Sequence, residues 1–221
     1  MVETDTAAPE AAKPSPAEAD HTHDIYTVAN VITVLRLILV PIFFSVLMNG
    51  GSDVAAAALF ALAASTDWLD GQIARRTGTT TEIGKAIDPL VDRLLIASGL
   101  LGLYLVGRMP LWIVVVLLLR DVTLLYGLWR LGKFGRSLSV KYVGKVTTAV
   151  LLTGFTLMIL NWPFVPGLGI IESPALPGWG SEPALLGIWF VYAGLVLSLI
   201  TAVMYAATFA AVRREVRNPA A

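Results

Sequence analysis

Cysteine is absent from the sequence, and histidine occurs only as His21 and His23. Disulfides, a thiol nucleophile and cysteine metal ligands are excluded. A histidine–carboxylate relay or a multi-histidine metal site is nearly excluded as well. Charge is scarce: 14% of the 221 residues are Asp, Glu, Lys or Arg, and the net charge is zero, against about 25% charged residues in an ordinary soluble domain. With no basic excess, nucleic-acid binding has no support. What fills the chain is apolar, 56% of it, in long blocks that a soluble domain of this length could not cover with polar surface. The class that fits is an all-α integral membrane protein.

Residues 1–24 are rich in Ala, Pro, Glu and Asp and contain no apolar block, so they read as a disordered, mildly acidic tail. They lack the basic start and apolar core of a signal peptide. Six apolar blocks follow within residues 25–212, each near the roughly 20 residues a span requires: Thr27 to Met48, Val54 to the first aspartates, Gly84 to Val106, Leu111 to Trp129, Val143 to Leu160, and Ala184 to Val212. Residues 213–221 form a short basic tail. Arg75, Arg76 and Lys85 flank the connection between the second and third blocks. Arg130, Lys133, Arg136 and Lys141 belong to the fourth-to-fifth loop, and Arg213, Arg214 and Arg217 to the tail. The opposite loops carry Arg108 alone, with Glu172 and Glu182. The positive-inside rule then gives six transmembrane helices with both termini cytoplasmic.

Within this oily chain, DWLDGQIARRTGTTTEIGKAIDPLVDRL places Asp67, Asp70, Asp88 and Asp92 at the expected cytoplasmic ends of the second and third helices, around a polar connection from Gly71 to Thr81. Spacings of three and four residues put each pair on one helical face. Four carboxylates brought together would raise one another's pKa values, so a compensating cation is needed: Arg75, Arg93, Lys85 or bound metal. Carboxylates without His or Cys suit a hard ion such as Mg2+ or Mn2+, and two such ions can clamp a phosphoryl group. Gly71 and Gly84 let the backbone approach a bulky ligand, Ala74 keeps the same wall small, and Arg75 can reach a diphosphate. Ionisable groups placed inside spans are functional candidates by default.

The pattern Asp-x2-Asp-Gly-x2-Ala-Arg-x8-Gly-x3-Asp-x3-Asp, present as Asp67, Asp70, Gly71, Ala74, Arg75, Gly84, Asp88 and Asp92, resembles the signature of the CDP-alcohol phosphatidyltransferases. The resemblance covers roughly Thr27 to Tyr205. It implies that family's six-helix fold and a reaction in which an alcohol attacks the β-phosphorus of a CDP-linked lipid and releases CMP. It also implies that Asp67, Asp70 and Asp88 ligate two metal ions, while Asp92 is the general base and touches metal too. Gly71, Ala74, Arg75 and Gly84 would line the cytidine diphosphate.

The acceptor has to be read elsewhere. TVANVITVLRLILVP, with Asn30, Thr33, Arg36 and Pro41, resembles the opening helix of the phosphatidylglycerophosphate and cardiolipin synthase branch. Downstream, Arg120-Asp121 and Lys145 with Thr147 resemble the CDP-diacylglycerol-using cardiolipin synthases. The phosphatidylglycerophosphate synthases usually carry Glu after the Arg and a second Lys. A glycerol phosphate dianion favours more cations than a phosphodiester does. The leading expectation is therefore CDP-diacylglycerol as donor and phosphatidylglycerol as acceptor, giving cardiolipin. The alternative acceptor is glycerol 3-phosphate. Arg120, Arg136, Lys141 and Lys145 are the candidate phosphate ligands, although Arg120-Asp121 also reads as an ion pair that joins helices. Gly99 and Gly102 suggest close packing that extends to a homodimer contact. A reading of another class, a small cation transporter with intramembrane aspartates, would need its site near the membrane midplane.

Overall fold

The computed structural model describes residues 28–77, 82–132 and 142–217. Among them are six α-helices: α1 Val28–Met48, α2 Asp53–Thr77, α3 Glu82–Leu105, α4 Leu111–Gly132, α5 Tyr142–Leu160 and α6 Leu186–Arg217. Two short strands, β1 Phe164–Val165 and β2 Ala184–Leu185, pair antiparallel with Phe164 opposite Leu185. The tail 1–24 lies outside the described residues. At the other end α6 runs unbroken to Arg217, past the boundary expected at Val212.

The helices stop where the sequence supplies stop signals. Gly107, at φ 71°, closes α3: its amide bonds the Tyr104 carbonyl at 2.9 Å and the Arg108 amide bonds that of Leu103 at 2.9 Å. This is the Schellman pairing, in which a glycine supplies the left-handed residue. Gly50, at φ 65°, ends α1 in the same way, with the Gly51 amide on the Val46 carbonyl. Ser52 then caps α2, its hydroxyl accepting from the Ala55 amide at 3.4 Å, and Asp53 places negative charge on the first turn, where the helix dipole favours it.

α2 packs between α1 and α5, α3 lies against α1, and α6 packs on α5 and α4. Phe43, Phe60 and Phe155, from α1, α2 and α5, form a continuous ring contact at the centre, with centroids 5.1 and 6.4 Å apart, and none of the three is exposed. Gly99 admits the Phe60 ring: a Cβ there would lie 2.8 Å from its Cε2. Gly102 does the same for Leu47. Both glycines are thus filled from within the chain, which corrects the expectation that they serve a subunit contact. α5 and α6 come close at Gly154 and Gly187, where a Cβ on Gly187 would meet the Gly154 carbonyl oxygen at 2.6 Å, the small-residue contact that lets two helix backbones approach.

The outer faces invert the soluble pattern. Val34, Leu37, Ile38 and Ile42 on α1, Leu101 and Leu105 on α3, Leu119 and Val122 on α4, and Val196 and Val203 on α6 are all exposed. Apolar surface of this extent marks contact with another apolar phase. Val143–Leu160 and Leu186–Ala207 are long and apolar enough to cross a membrane, while Thr33–Met48 and Asp53–Thr66 are shorter apolar segments.

One end of the bundle is held by polar contacts. Arg108, in the α3–α4 turn, donates to both carboxylate oxygens of Asp53 at 2.8 Å and to the Ile159 carbonyl at 2.7 Å. It thereby ties the starts of α2 and α4 to the end of α5. The loop 161–185 folds back over this end. The Trp112 indole donates to the Ala175 carbonyl at 2.6 Å, and the Tyr192 hydroxyl donates to that of Pro177 at 3.1 Å. The Ser181 hydroxyl and amide both donate to Glu172 and hold its carboxyl below the usual range.

Candidate functional site

The signature divides between two continuous helices. Asp67, Asp70, Gly71, Ala74 and Arg75 lie in α2, which runs on to Thr77, and Gly84, Asp88 and Asp92 lie in α3. The polar connection expected from Gly71 is therefore helical for most of its length, and the aspartates are inside the helices rather than at their ends. The reason is propensity: Gln72, Ala74, Arg75 and Arg76 are good helix formers, and the single Gly71 costs only about 1 kcal/mol. The side chains of Asp67, Asp70, Ala74, Arg75 and Asp88 lie outside the described residues, so the expected convergence of four carboxylates does too. Arg136 and Lys141 also fall outside them.

Asp92 is described, and its surroundings were not legible from the motif. Arg36 of α1, only 1% exposed, donates through Nη1 to Asp92 Oδ1, and the Asp92 side chain keeps 38% of its surface accessible. Arg36 continues the inward stripe of α1 formed by Leu39, Phe43 and Leu47, while its neighbours Leu35 and Leu37 face outward. The available signal was an arginine inside an apolar block, which demands a partner. Sequence spacing alone could not identify that partner, because it is 56 residues away.

This pair belongs to a polar layer that crosses the whole bundle. Among the described residues, the buried polar side chains are Thr33, Arg36, Thr66, Asp121, Thr147, Ser198 and Thr201. At 1.5 Å per residue, each lies about 15–22 Å along its helix from the end closed by Arg108. Four of the hydroxyls donate within their own helices, Thr66 to the Ala63 carbonyl, Thr147 to Val143, Ser198 to Leu195 and Thr201 to Leu197, and Thr147 and Thr201 also lie 3.4 Å apart between α5 and α6. Between this layer and the Arg108 end the described core is apolar.

Arg93, next to Asp92, reaches Asp121 of α4 at 2.6 Å, and Arg120 reaches the same Asp121 oxygen at 2.7 Å. Arg120 and Asp121 are neighbours on α4, so their pair lies within one helix. The contact that joins helices is Arg93 to Asp121, across α3 and α4, which corrects the expectation for Arg120-Asp121 itself. Two guanidiniums thus share one carboxylate oxygen, and the buried Arg120 Nε has no acceptor among the described residues. Lys145, in the first turn of α5, is exposed. An apolar groove of about 400 Å³ between α1 and α3 starts beside the Arg36–Asp92 pair, where Leu37 and Val91 line it, and extends to Leu101.

The donor set fits a hard divalent cation. The motif offers only carboxylate oxygens, which match Mg2+ or Mn2+. Asp92 keeps an accessible face although one of its oxygens is held by Arg36. Asp67, Asp70, Asp88 and Asp92 are the residues that would hold such ions.

A family model described as CDP-alcohol phosphatidyltransferase matches residues 26–212. A Mycobacterium tuberculosis protein named "Probable phosphatidylglycerophosphate synthase" is 39% identical over 144 residues, covering 62% of this chain and 67% of that protein. The Streptomyces coelicolor cardiolipin synthase (CMP-forming) is 34% identical over 170 residues, covering 72% and 78%. A Bacillus subtilis CDP-diacylglycerol–glycerol-3-phosphate 3-phosphatidyltransferase is 30% identical over 155 residues, covering 63% and 80%. The transporter reading is set aside by these matches, since every one of them is to a phosphatidyltransferase. With the signature complete on α2 and α3 and the family match extending over all six helices, the chain belongs to the CDP-alcohol phosphatidyltransferase family of membrane enzymes and is a transferase of phospholipid biosynthesis.

Proposed function

We propose that the enzyme transfers the phosphatidyl group of CDP-diacylglycerol to phosphatidylglycerol, forming cardiolipin and releasing CMP. The observation that carries this reading is Asp92 in the polar layer: a carboxylate within an apolar bundle that accepts from the buried Arg36 and keeps 38% of its side-chain surface accessible. The acceptor hydroxyl oxygen bonds to the β-phosphorus, the bond from that phosphorus to the CMP oxygen breaks, and the hydroxyl proton passes to Asp92. An unperturbed aspartate is a weak base at neutral pH, so most of the rate enhancement comes from placement and charge. Divalent ions on Asp67, Asp70, Asp88 and Asp92 would neutralise the diphosphate. Gly71, Ala74, Arg75 and Gly84 line the nucleotide.

Phosphatidylglycerol is favoured because Arg120 is already engaged by Asp121. That leaves Lys145, with Arg136 and Lys141, as the cations for an acceptor phosphate, fewer than a dianion favours. The phosphatidylglycerophosphate synthase relative at 39% identity supports the second reading, with glycerol 3-phosphate as acceptor. All six helices are read as spans, with the signature and both termini on the cytoplasmic side, because the basic residues gather on the connections at that end. A homodimer belongs to the same reading.

The test supplies purified protein with labelled CDP-diacylglycerol and either phosphatidylglycerol or glycerol 3-phosphate. CMP release is expected only with Mg2+ or Mn2+, and cardiolipin is the expected product. Phosphatidylglycerophosphate as the product would overturn the acceptor assignment. Full CMP release by Asp88→Asn or Asp92→Asn would overturn the site.

A further inference from the structure

Arg36 occupies a core position that packing alone would give to leucine. Its stripe neighbours Leu39, Phe43 and Leu47 are buried apolar residues, yet Arg36 is as completely buried as they are. Stability does not account for it, because a buried ion pair is generally no more stable than the apolar residues that could replace it. The guanidinium is fixed in charge and planar, and it presents a rigid fork of donors. It donates to Asp92 Oδ1 from a helix that carries none of the signature. A partner that is itself immobile fixes the direction in which the remainder of the carboxylate faces.

We propose that Arg36 is a positioning residue of the transfer reaction. It holds the Asp92 carboxylate in the orientation from which it meets the acceptor hydroxyl. It also places one positive charge against the four-carboxylate cluster and so limits how tightly that cluster retains divalent cations. The inference rests on the proposed role of the aspartates and adds a determinant from α1. A misplacement of about 1 Å costs about 100-fold in rate, so loss of Arg36 acts on turnover. It has no reason to change the affinity for the CDP-linked donor. Removing a neighbouring positive charge strengthens cation binding by about tenfold, the lower end of what such a charge does to a carboxylate.

The test compares full-length wild type, Arg36→Gln and Arg36→Lys in detergent. It measures Mn2+ affinity by electron paramagnetic resonance without substrate, and kcat and KM for CMP release. In R36Q, Mn2+ is expected to bind about tenfold more tightly while kcat falls about 100-fold and KM for CDP-diacylglycerol stays within threefold. R36K keeps the charge but not the fork, so its Mn2+ affinity stays at the wild-type value and its kcat lies between the other two. A purely structural role would weaken Mn2+ binding and turnover together, and that result overturns the inference. So does wild-type kcat in R36Q. Where R36Q does not fold, undiminished kcat in R36K refutes the orienting role. Wild-type protein that binds no Mn2+ and releases no CMP refutes the parent reading, and this inference with it.

Discussion

Replacing Asp121 by Asn tests the ionic contact between α3 and α4. Asp121 is 9% exposed and balances two guanidiniums through one oxygen, with Arg93 at 2.6 Å and Arg120 at 2.7 Å. Asn keeps the shape but removes the charge. The Arg120 side chain is 9% exposed and has nowhere to go, whereas Arg93 is 27% exposed and can find solvent or lipid phosphate. Leaving one buried charge unpaired costs about 3–5 kcal/mol. The partial access of Arg93 places this variant at the lower end, about 3 kcal/mol, which in a chain of this size lowers the unfolding temperature by about 6–12 °C. Thermal unfolding in detergent at fixed ionic strength reads this directly, with the half-life at one temperature as a second measure where unfolding is irreversible. The double variant Arg120→Met with Asp121→Leu removes both buried charges and is expected to recover all but about 1 kcal/mol. A D121N protein within about 0.5 kcal/mol of wild type, the range of an ordinary surface change, would refute the claim that Asp121 balances these charges. Comparing the two acceptors with the double variant then shows whether Arg120 also contacts acceptor phosphate.

Two further outcomes concern the bundle away from the signature. Asp53→Asn breaks the forked pair with Arg108, but both partners keep access to solvent, at 33% and 20%. The loss is therefore about 1 kcal/mol, and Arg108→Met, which also frees the Ile159 carbonyl, loses about 2 kcal/mol. Neither is expected to change kcat/KM below the unfolding temperature, since the polar layer lies about 20 Å along the helices, and a change in kcat/KM would show that the two ends are coupled. Gly187→Ala drives a Cβ to within 2.6 Å of a backbone oxygen of α5, whereas Gly99→Ala meets the edge of the Phe60 ring at 2.8 Å. Overpacking costs about 1–3 kcal/mol, with G187A at the upper end because a helix backbone yields less than a ring. Greater loss in G99A on thermal unfolding would contradict that ordering.

Much of the architecture was legible because a membrane enforces a simple code. Apolar blocks near span length, punctuated by Asn49-Gly50-Gly51 and Gly107, gave helix ends that the structure reproduces within a few residues for α1, α3 and α5. Gly71 to Thr77 and the residues beyond Val212 are polar yet helical, because backbone hydrogen bonding does not depend on the polarity of side chains. Gly99 and Gly102 were correctly identified as close-packing residues, but which surface fills them is a property of the assembled bundle.

The signature and the family were determined by the sequence alone, because motif spacing and residue type are local properties. The partners of isolated charges were decided only by the tertiary structure. Arg36 meets Asp92 across 56 residues, Arg93 meets Asp121 across two helices, and Arg108 closes on Asp53 and the end of α5. A buried charge must be compensated wherever the fold brings it, and no linear pattern states which distant helix will be its neighbour.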